Sequence, residues 1–149
     1  MKGTLKLLAC AALLAACTQA KPEEPVHPET GSYLGTVTVE YGGSSFDNEN
    51  ITVVFNPSED GKTASLEIQK IKFVPAMPVT IDVTIPDVTL DATKDKVGLE
   101  CAEVIPLALG GEYPRYKVTG LTGMIREKEM TFSLKFGDYP TSFRGTLKP

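Results

Sequence analysis

The stretch MTFSLKF, residues 130–136, decides the class of fold because polar and apolar side chains alternate along it. The apolar set is Phe132, Leu134 and Phe136, and the polar set is Thr131, Ser133 and Lys135. Successive side chains of a β-strand point to opposite faces, so strict alternation is typical of a strand with one buried face. We therefore expect a strand here, and the rest of the chain indicates what pairs with it.

The same alternation recurs from residue 31 onward, in short stretches separated by Gly, Pro, Asn and Asp. The apolar sets are Val37, Val39 and Tyr41; Ile51, Val53 and Phe55; Val79, Ile81, Val83 and Ile85; and Tyr116 and Val118. Tight turns are predicted at residues 42–44 and 56–61, and a charged hairpin tip at residues 126–129. No stretch of the body has a helical repeat with capping signals, so the sequence predicts an all-β domain.

The parity of the apolar positions changes twice along the chain. Leu66 and Ile68 fall on even numbers but Ile71 and Phe73 on odd ones, which predicts a β-bulge near Gln69 or Lys70. A second change occurs across Pro86, which marks an edge or a bend because proline cannot donate to a ladder. Bulges supply the bending that a small barrel needs. We expect one domain over residues 31–149, a small antiparallel β-barrel of roughly 8–10 strands.

The first residues have the features of a secretory signal. Lys2 and Lys6 precede an apolar run that ends at Ala16 and is too short to be a membrane-spanning helix. The string LAAC at residues 14–17 resembles the lipobox of bacterial lipoproteins. That resemblance implies that residues 1–16 are removed and that Cys17 is lipidated with acyl chains such as palmitate, which would hold the protein on a membrane. The alternative is an ordinary secretory signal with a chance cysteine.

Residues 17–30 follow as a lipidated cysteine and a tether rich in proline and acidic side chains. With almost nothing apolar to bury, this tether is expected to be extended and solvated. Thr18 in place of aspartate implies delivery to the outer membrane under the sorting rule for such lipoproteins. The string QAKPEE at residues 19–24 resembles acidic export tags to the cell surface, but simple linker charges explain it equally well. The periplasmic and the cell-surface side both stay open.

The charge balance and the cysteine count exclude several functions. Loss of Lys2 and Lys6 with the signal leaves 13 basic against 19 acidic side chains, a formal charge of −6. Nucleic acid is therefore not an expected partner, because phosphate binding needs a basic patch. An acylated Cys17 cannot form a disulfide, so Cys101 is left alone and is most simply a small buried hydrophobe.

The order of motifs along the body resembles the calycin-like, or lipocalin-like, lipoproteins of Gram-negative bacteria. The resemblance rests on GSYLGTVTV at residues 31–39, KVTG at 117–120, MTFSL at 130–134 and FRGTL at 143–147. It implies a small antiparallel barrel on a lipid anchor, in a family of largely undefined function. The segment 101–111 is longer and more apolar than that family would suggest, which leaves its strand pairing open.

An enzyme is not expected from this chain. The single histidine, His27, lies in the tether, so a Ser/His/Asp or Cys/His apparatus inside the barrel is absent. There is no phosphate loop and no Cys/His cluster for zinc, and we expect neither a cofactor nor a metal. Glu100 and Glu103 are expected to be solvated on opposite faces of a strand. The acidic and amide residues 47–50 are interpreted as a polar turn in preference to a calcium loop.

Two apolar segments lack clean alternation and are interrupted by prolines, at residues 74–78 and 104–109. At a barrel mouth they could contact an apolar ligand, and the candidate lining residues are Val74, Met77, Leu107, Leu109 and Tyr113. The plainer interpretation, which we favour, is that they plug the barrel or cover a sheet edge. Two functional hypotheses follow: a tethered barrel that binds a small apolar ligand or a glycan fragment, and an interaction module of an envelope or cell-surface assembly. Protein partners are not indicated by the sequence.

Overall fold

A computed structural model describes residues 28–149, and the structural statements below concern that part of the chain. Cys17, the signal sequence and most of the tether lie outside it. The described part contains ten β-strands and one short 3-10 helix, Pro114–Tyr116. The strands are β1 Gly31–Tyr41, β2 Ser44–Pro57, β3 Thr63–Ile71, β4 Ile81–Ala92, β5 Lys96–Val104, β6 Leu107–Ala108, β7 Gly111–Glu112, β8 Val118–Arg126, β9 Glu129–Phe136 and β10 Tyr139–Leu147.

The eight longer strands form a closed antiparallel barrel. Each pairs with the next along the chain, β5 pairs with β8, and β10 returns to β1 to close the sheet. The two short strands β6 and β7 form a side hairpin attached to β4. The all-β prediction and the prediction of a small antiparallel barrel are both confirmed. Closure removes the unpaired edges that an open sheet would present.

Four bulges, at Lys70, Asp87, Asn50 and Gly120, bend the strands of this barrel. Lys70 and Asp87 have positive φ angles of 59° and 57° where the β3–β4 register shifts, which confirms both parity changes read from the sequence. Asn50, with a φ of 57°, marks a third bulge inside β2. The predicted polar turn at residues 47–50 is therefore wrong. Asparagine tolerates the left-handed conformation, so the strand bends there without ending.

Two further strand predictions at the ends of β4 and β8 are also wrong. Val79 precedes β4 and is 62% exposed, because the chain joins the sheet only at Ile81, after Pro78. Tyr116 lies in the 3-10 helix and not in a strand with Val118. Pro114 is the first residue of this helix. Its ring fixes the φ angle, which suits a helical turn better than a β-ladder.

Both short hairpin turns that were predicted are present. Gly42 and Gly43 connect β1 to β2 with φ angles of 58° and 82°. Glu127 and Lys128 connect β8 to β9 with φ angles of 50° and 69°. Two consecutive positive φ angles are the mark of the type I′ turn, whose twist matches that of the flanking strands. The second turn forms without glycine or asparagine and is the charged tip expected at residues 126–129.

The direction of the strands gives the barrel two different ends. The proximal end receives the tether and carries the turns at residues 58–62, 93–95 and 127–128. The distal end carries the turns at 42–43 and 137–138, the loop 72–80 and the segment 105–117. Pro28 is buried at the proximal end, whereas Glu29 and Thr30 are exposed, so the last part of the tether packs against the barrel. No helix within residues 28–149 has the length and apolar character to cross a membrane.

Candidate functional site

The interior of the barrel is filled by its own side chains. Phe55, Phe73 and Phe136 are the largest of the residues with less than 2% exposure, and they belong to one continuous apolar cluster. An eight-stranded barrel is just wide enough to be filled in this way or to hold one small ligand. Among the described residues, Thr141 is the one buried polar side chain. Its hydroxyl donates a hydrogen bond to the carbonyl oxygen of Tyr139 at 3.0 Å.

Segment 105–117 closes a gap in the barrel wall and then crosses the distal end. Strand β5 pairs with β4 only at its proximal part, and where β5 leaves, β6 takes its place beside Val83 and Thr84. A hydrogen bond from the amide nitrogen of Tyr113 to the carbonyl oxygen of Pro106, at 2.9 Å, extends the β6–β7 hairpin by one pair, and Tyr116 then reaches the core at Phe73. The segment therefore completes the wall and places two tyrosines over the opening.

A stacked aromatic column plugs the distal end. Phe73, which is fully buried, lies parallel to Tyr116 with ring centroids 4.1 Å apart, and Tyr116 in turn stacks on Tyr113 at 5.2 Å. Phe136 meets Phe73 edge-on at 5.0 Å. Burial raises the pKa of the Tyr116 phenol, and the guanidinium of Arg115, 5.8 Å above its ring, acts in the opposite direction. The column runs from the core to the surface.

The column continues along the rim as a line of tyrosines. Tyr116 lies 6.1 Å from Tyr139, and Tyr139 lies 6.1 Å from Tyr41, in each case between ring centroids. We call Tyr41, Tyr139, Tyr116 and Tyr113 the tyrosine row. Tyr41 is the most exposed of them at 46%, and the other three are partly buried against the core. Four of the five tyrosines of the chain are thus gathered at one end of the barrel.

The sequence-predicted lining residues are spread over the distal part of the molecule. Val74 and Met77 are half-buried in the loop after β3, where the Met77 sulfur accepts a hydrogen bond from the Phe73 amide at 3.0 Å. Tyr113 is half-buried in the aromatic column. Leu107 is 40% exposed, and Leu109 is 72% exposed at the tip of the β6–β7 hairpin. Both leucines line a cleft of about 800 Å³ on the outer wall beside β4.

Some of the carboxylates on the described surface make local contacts. Glu100 and Glu103 are both exposed, and Glu103 lies 3.4 Å from the Lys117 ammonium. Asp60 accepts hydrogen bonds from the Ser58 hydroxyl at 2.6 Å and from the Lys62 amide at 2.9 Å, and the Ser58 bond is the main cause that lowers its pKa. Within residues 28–149, no group of three His, Cys, Asp or Glu side chains is arranged to hold a metal ion.

The amide and acidic side chains of residues 47–50 fasten β2 to its surroundings. Asn48 exchanges two hydrogen bonds with the backbone of Lys72, at 2.9 and 3.0 Å, and Asp47 accepts one from the Thr38 hydroxyl at 2.7 Å. These bonds hold the loop after β3 against the strand that carries the bulge. The hydrogen bonds of Asn48 and Asp47 are therefore made to other residues of the same chain.

Cys101 is half-buried on β5 and forms no disulfide. Burial is the largest influence on its thiol and raises its pKa, with Asp87 acting in the same direction and a backbone hydrogen bond opposing them. A raised pKa keeps the thiol protonated and weakly nucleophilic. Cys17, the predicted lipidation site, lies outside the described residues.

Sequence reasoning missed the tyrosine row because its members come from distant parts of the chain. Tyr41 ends β1 and Tyr139 begins β10, and only the closure of the barrel between those strands brings them together. A weak local signal exists, since each stands beside a glycine-containing hairpin turn, at residues 42–43 and 137–138. The row is the aromatic rim of a filled barrel mouth.

The fold and its rim define a class: a small, closed, eight-stranded antiparallel barrel with a packed interior. Comparison of the chain with protein-family models, with curated proteins and with solved structures finds no match.

Proposed function

We propose that this protein is a lipid-anchored outer-membrane lipoprotein whose barrel serves as an interaction module of the cell envelope. The proposal of an interaction module rests on the filled interior, where Phe55, Phe73 and Phe136 are each no more than 1% exposed. A barrel without free space inside must engage other molecules through its outer wall or its rims. The string LAAC at residues 14–17 and the tether after it support the anchored half.

The anchor is tested by growing cells with a radiolabelled fatty acid. We expect the parent protein to be labelled and Cys17→Ala to lose the label, with Cys10→Ala as the matched control that keeps it. Equal labelling of the parent and Cys17→Ala would refute the anchor. A non-permeant reagent applied to intact cells then decides between the cell surface and the periplasmic face.

The module is tested by gentle cross-linking of the lipidated protein in its own cells, followed by purification. We expect a stoichiometric envelope component to be recovered with the parent. Recovery of the monomer alone, across several cross-linker lengths, would count against an interaction role. The same preparation should show no hydrolytic activity, because we propose a binding protein and not an enzyme.

A small apolar ligand at the distal end is the second candidate function. The observation in its favour is that Val74, Met77 and Tyr113 are half-buried near the barrel mouth and leave apolar surface there. Native mass spectrometry of the gently extracted protein tests it. A reproducible mass increment that organic solvent removes would support this candidate, and a spectrum free of any ligand would refute it.

A further inference from the structure

We propose that the proximal rim of the barrel binds a medium-chain fatty acid, with its alkyl chain in a small cavity beside the tether and its carboxylate at the cavity mouth. The cavity has a volume of about 260 Å³, and residues 28–30 of the tether form one of its walls. This inference goes beyond the proposed function, because an interaction module needs no small ligand. It also concerns the opposite end of the barrel from the lining residues predicted from the sequence.

The walls of this cavity are mostly apolar. Six apolar or aromatic residues line it: Pro28, Tyr33, Phe55, Val97, Ile125 and Leu147. Leu147 is 36% exposed, which is unusual for a large apolar side chain of this barrel, and it borders the opening. A hydrocarbon gains free energy for each methylene that it moves from water onto such a surface. The lining therefore favours an alkyl chain over a polar ligand.

A buried hydroxyl without a partner faces the cavity. Tyr33 is 5% exposed, and its hydroxyl makes no hydrogen bond to another described residue. Burial is the one cause that raises the pKa of this phenol. No fully enclosed polar side-chain atom of residues 28–149 lacks a partner, so the Tyr33 oxygen must reach accessible space, which the cavity provides. A ligand that accepts a hydrogen bond from this hydroxyl would remove the cost of leaving it unpaired.

A cation at the mouth of the cavity narrows the choice of head group. Lys128 lines the cavity from the β8–β9 turn and forms no ion pair with another described residue. Glu29 also borders the mouth, but it is exposed and solvated. A carboxylate can accept hydrogen bonds from both the Lys128 ammonium and the Tyr33 hydroxyl. The two donors therefore favour an alkyl chain that ends in a carboxylate.

The volume of the cavity limits the ligand to one short chain. An apolar cavity of ~150 Å³ holds benzene, with six carbons, so a cavity of about 260 Å³ accommodates roughly ten carbons at the same packing. The four rings of a sterol or the two chains of a phospholipid exceed this space. A fatty acid of about ten carbons fits it.

The test is isothermal titration calorimetry on the full lipidated protein, in a zwitterionic steroid detergent that has no long alkyl chain. The probes are hexanoate, octanoate, decanoate and dodecanoate. We expect saturable binding, with an affinity that rises about fourfold for each added methylene and levels off near ten carbons. Methyl decanoate, which lacks the carboxylate, should bind more weakly than decanoate.

Three variants test whether the binding occurs in this cavity. Ile125→Phe should fill the cavity and abolish binding. Tyr33→Phe should lower the affinity for decanoate at least about tenfold. Its urea midpoint should not fall, because the hydroxyl has no partner in the free protein. Lys128→Gln should weaken the binding of decanoate but not that of methyl decanoate.

Lys96→Gln is the matched control, because Lys96 is an exposed cation at the proximal start of β5 that does not line the cavity. It should bind like the parent. The proposal is overturned if no probe binds at millimolar concentration, or if the affinity does not depend on chain length. It is also overturned if Tyr33→Phe and Lys128→Gln, shown to be folded by circular dichroism, bind decanoate as tightly as Lys96→Gln. Any of these results would leave the proposed interaction module in place, since its cross-linking test requires no fatty acid.

Discussion

The aromatic plug can be tested by Phe73→Ala. Phe73 has no exposed surface and makes two ring contacts, parallel to Tyr116 at 4.1 Å and edge-on to Phe136 at 5.0 Å. Truncation of a buried phenylalanine to alanine costs about 3–5 kcal/mol, and each aromatic pair adds ~0.5–1.5 kcal/mol beyond the area it buries. We therefore expect a loss of about 4–5 kcal/mol, in the upper part of the truncation range. A domain of this size has roughly 5–15 kcal/mol in total, so the variant should fold but be marginal.

Urea unfolding followed by far-ultraviolet circular dichroism suits this chain, which has no tryptophan. With a slope of about 2 kcal/mol per molar urea, the midpoint should fall by about 2 M. Phe73→Leu, which keeps most of the volume, should lose much less. A double-mutant cycle with Tyr116→Ala should give a coupling of ~0.5–1.5 kcal/mol. A loss below about 1 kcal/mol in Phe73→Ala would refute the packed plug.

Three further predictions concern the backbone at Gly35 and Leu109 and the half-buried thiol of Cys101. A Cβ on Gly35 would lie 1.9 Å from the carbonyl oxygen of Arg144, so Gly35→Ala should cost at least about 2 kcal/mol in urea unfolding, whereas Gly98→Ala, which meets only ordinary contacts, should cost under about 1 kcal/mol. Leu109 has a φ of 52° and is 72% exposed, so Leu109→Asn, which suits the left-handed turn, should stabilise the protein by about 0.5–1 kcal/mol, and a lower urea midpoint would contradict this. Burial raises the pKa of the Cys101 thiol in the folded protein. The contribution of this thiol to the stability of the folded state is therefore present below the pKa of the unfolded thiol and is lost as the pH rises through the pKa of the folded thiol. Alkaline unfolding should occur at higher pH in Cys101→Ser, and an unchanged or lower midpoint would contradict this.

The bulges show where sequence reasoning about the fold succeeds. Lys70 and Asp87 interrupt strands with buried apolar residues on both sides, so the change of parity is visible in the sequence. At Gly120, Val118 and Leu121 are buried at positions of opposite parity, so this shift could also have been read from the sequence. At Asn50 the three preceding residues, 47–49, are polar, and a shift that follows polar positions leaves little mark on the apolar pattern. The prediction of a polar turn at residues 47–50 was wrong for this reason.

The distal end shows what sequence reasoning cannot supply. The apolar segment before Tyr113 was recognised as unusual, but its pairing depended on where β5 leaves β4, which is a matter of register between strands. The contact of Tyr41 with Tyr139 depends on the closure of β1 onto β10. The local periodicity of the sequence shows neither the pairing of this segment nor the contact between Tyr41 and Tyr139. The candidate liners Val74, Met77, Leu107, Leu109 and Tyr113 remain predictions about a ligand, and their positions in the structure are now defined.

Stability and recognition occupy separate parts of this barrel, and the separation can be argued from exposure. The core clusters around Phe55, Phe73 and Phe136, whose removal would leave cavities that the closed sheet cannot collapse to fill. Tyr41 has nearly half of its surface in solvent, so its truncation removes far less buried area. A substitution on the rim can therefore alter binding while the barrel stays folded. Because the interior is filled by buried side chains, a protein partner can be contacted only from such exposed positions, and Tyr41 is the one aromatic side chain among the exposed large hydrophobic residues of the described chain.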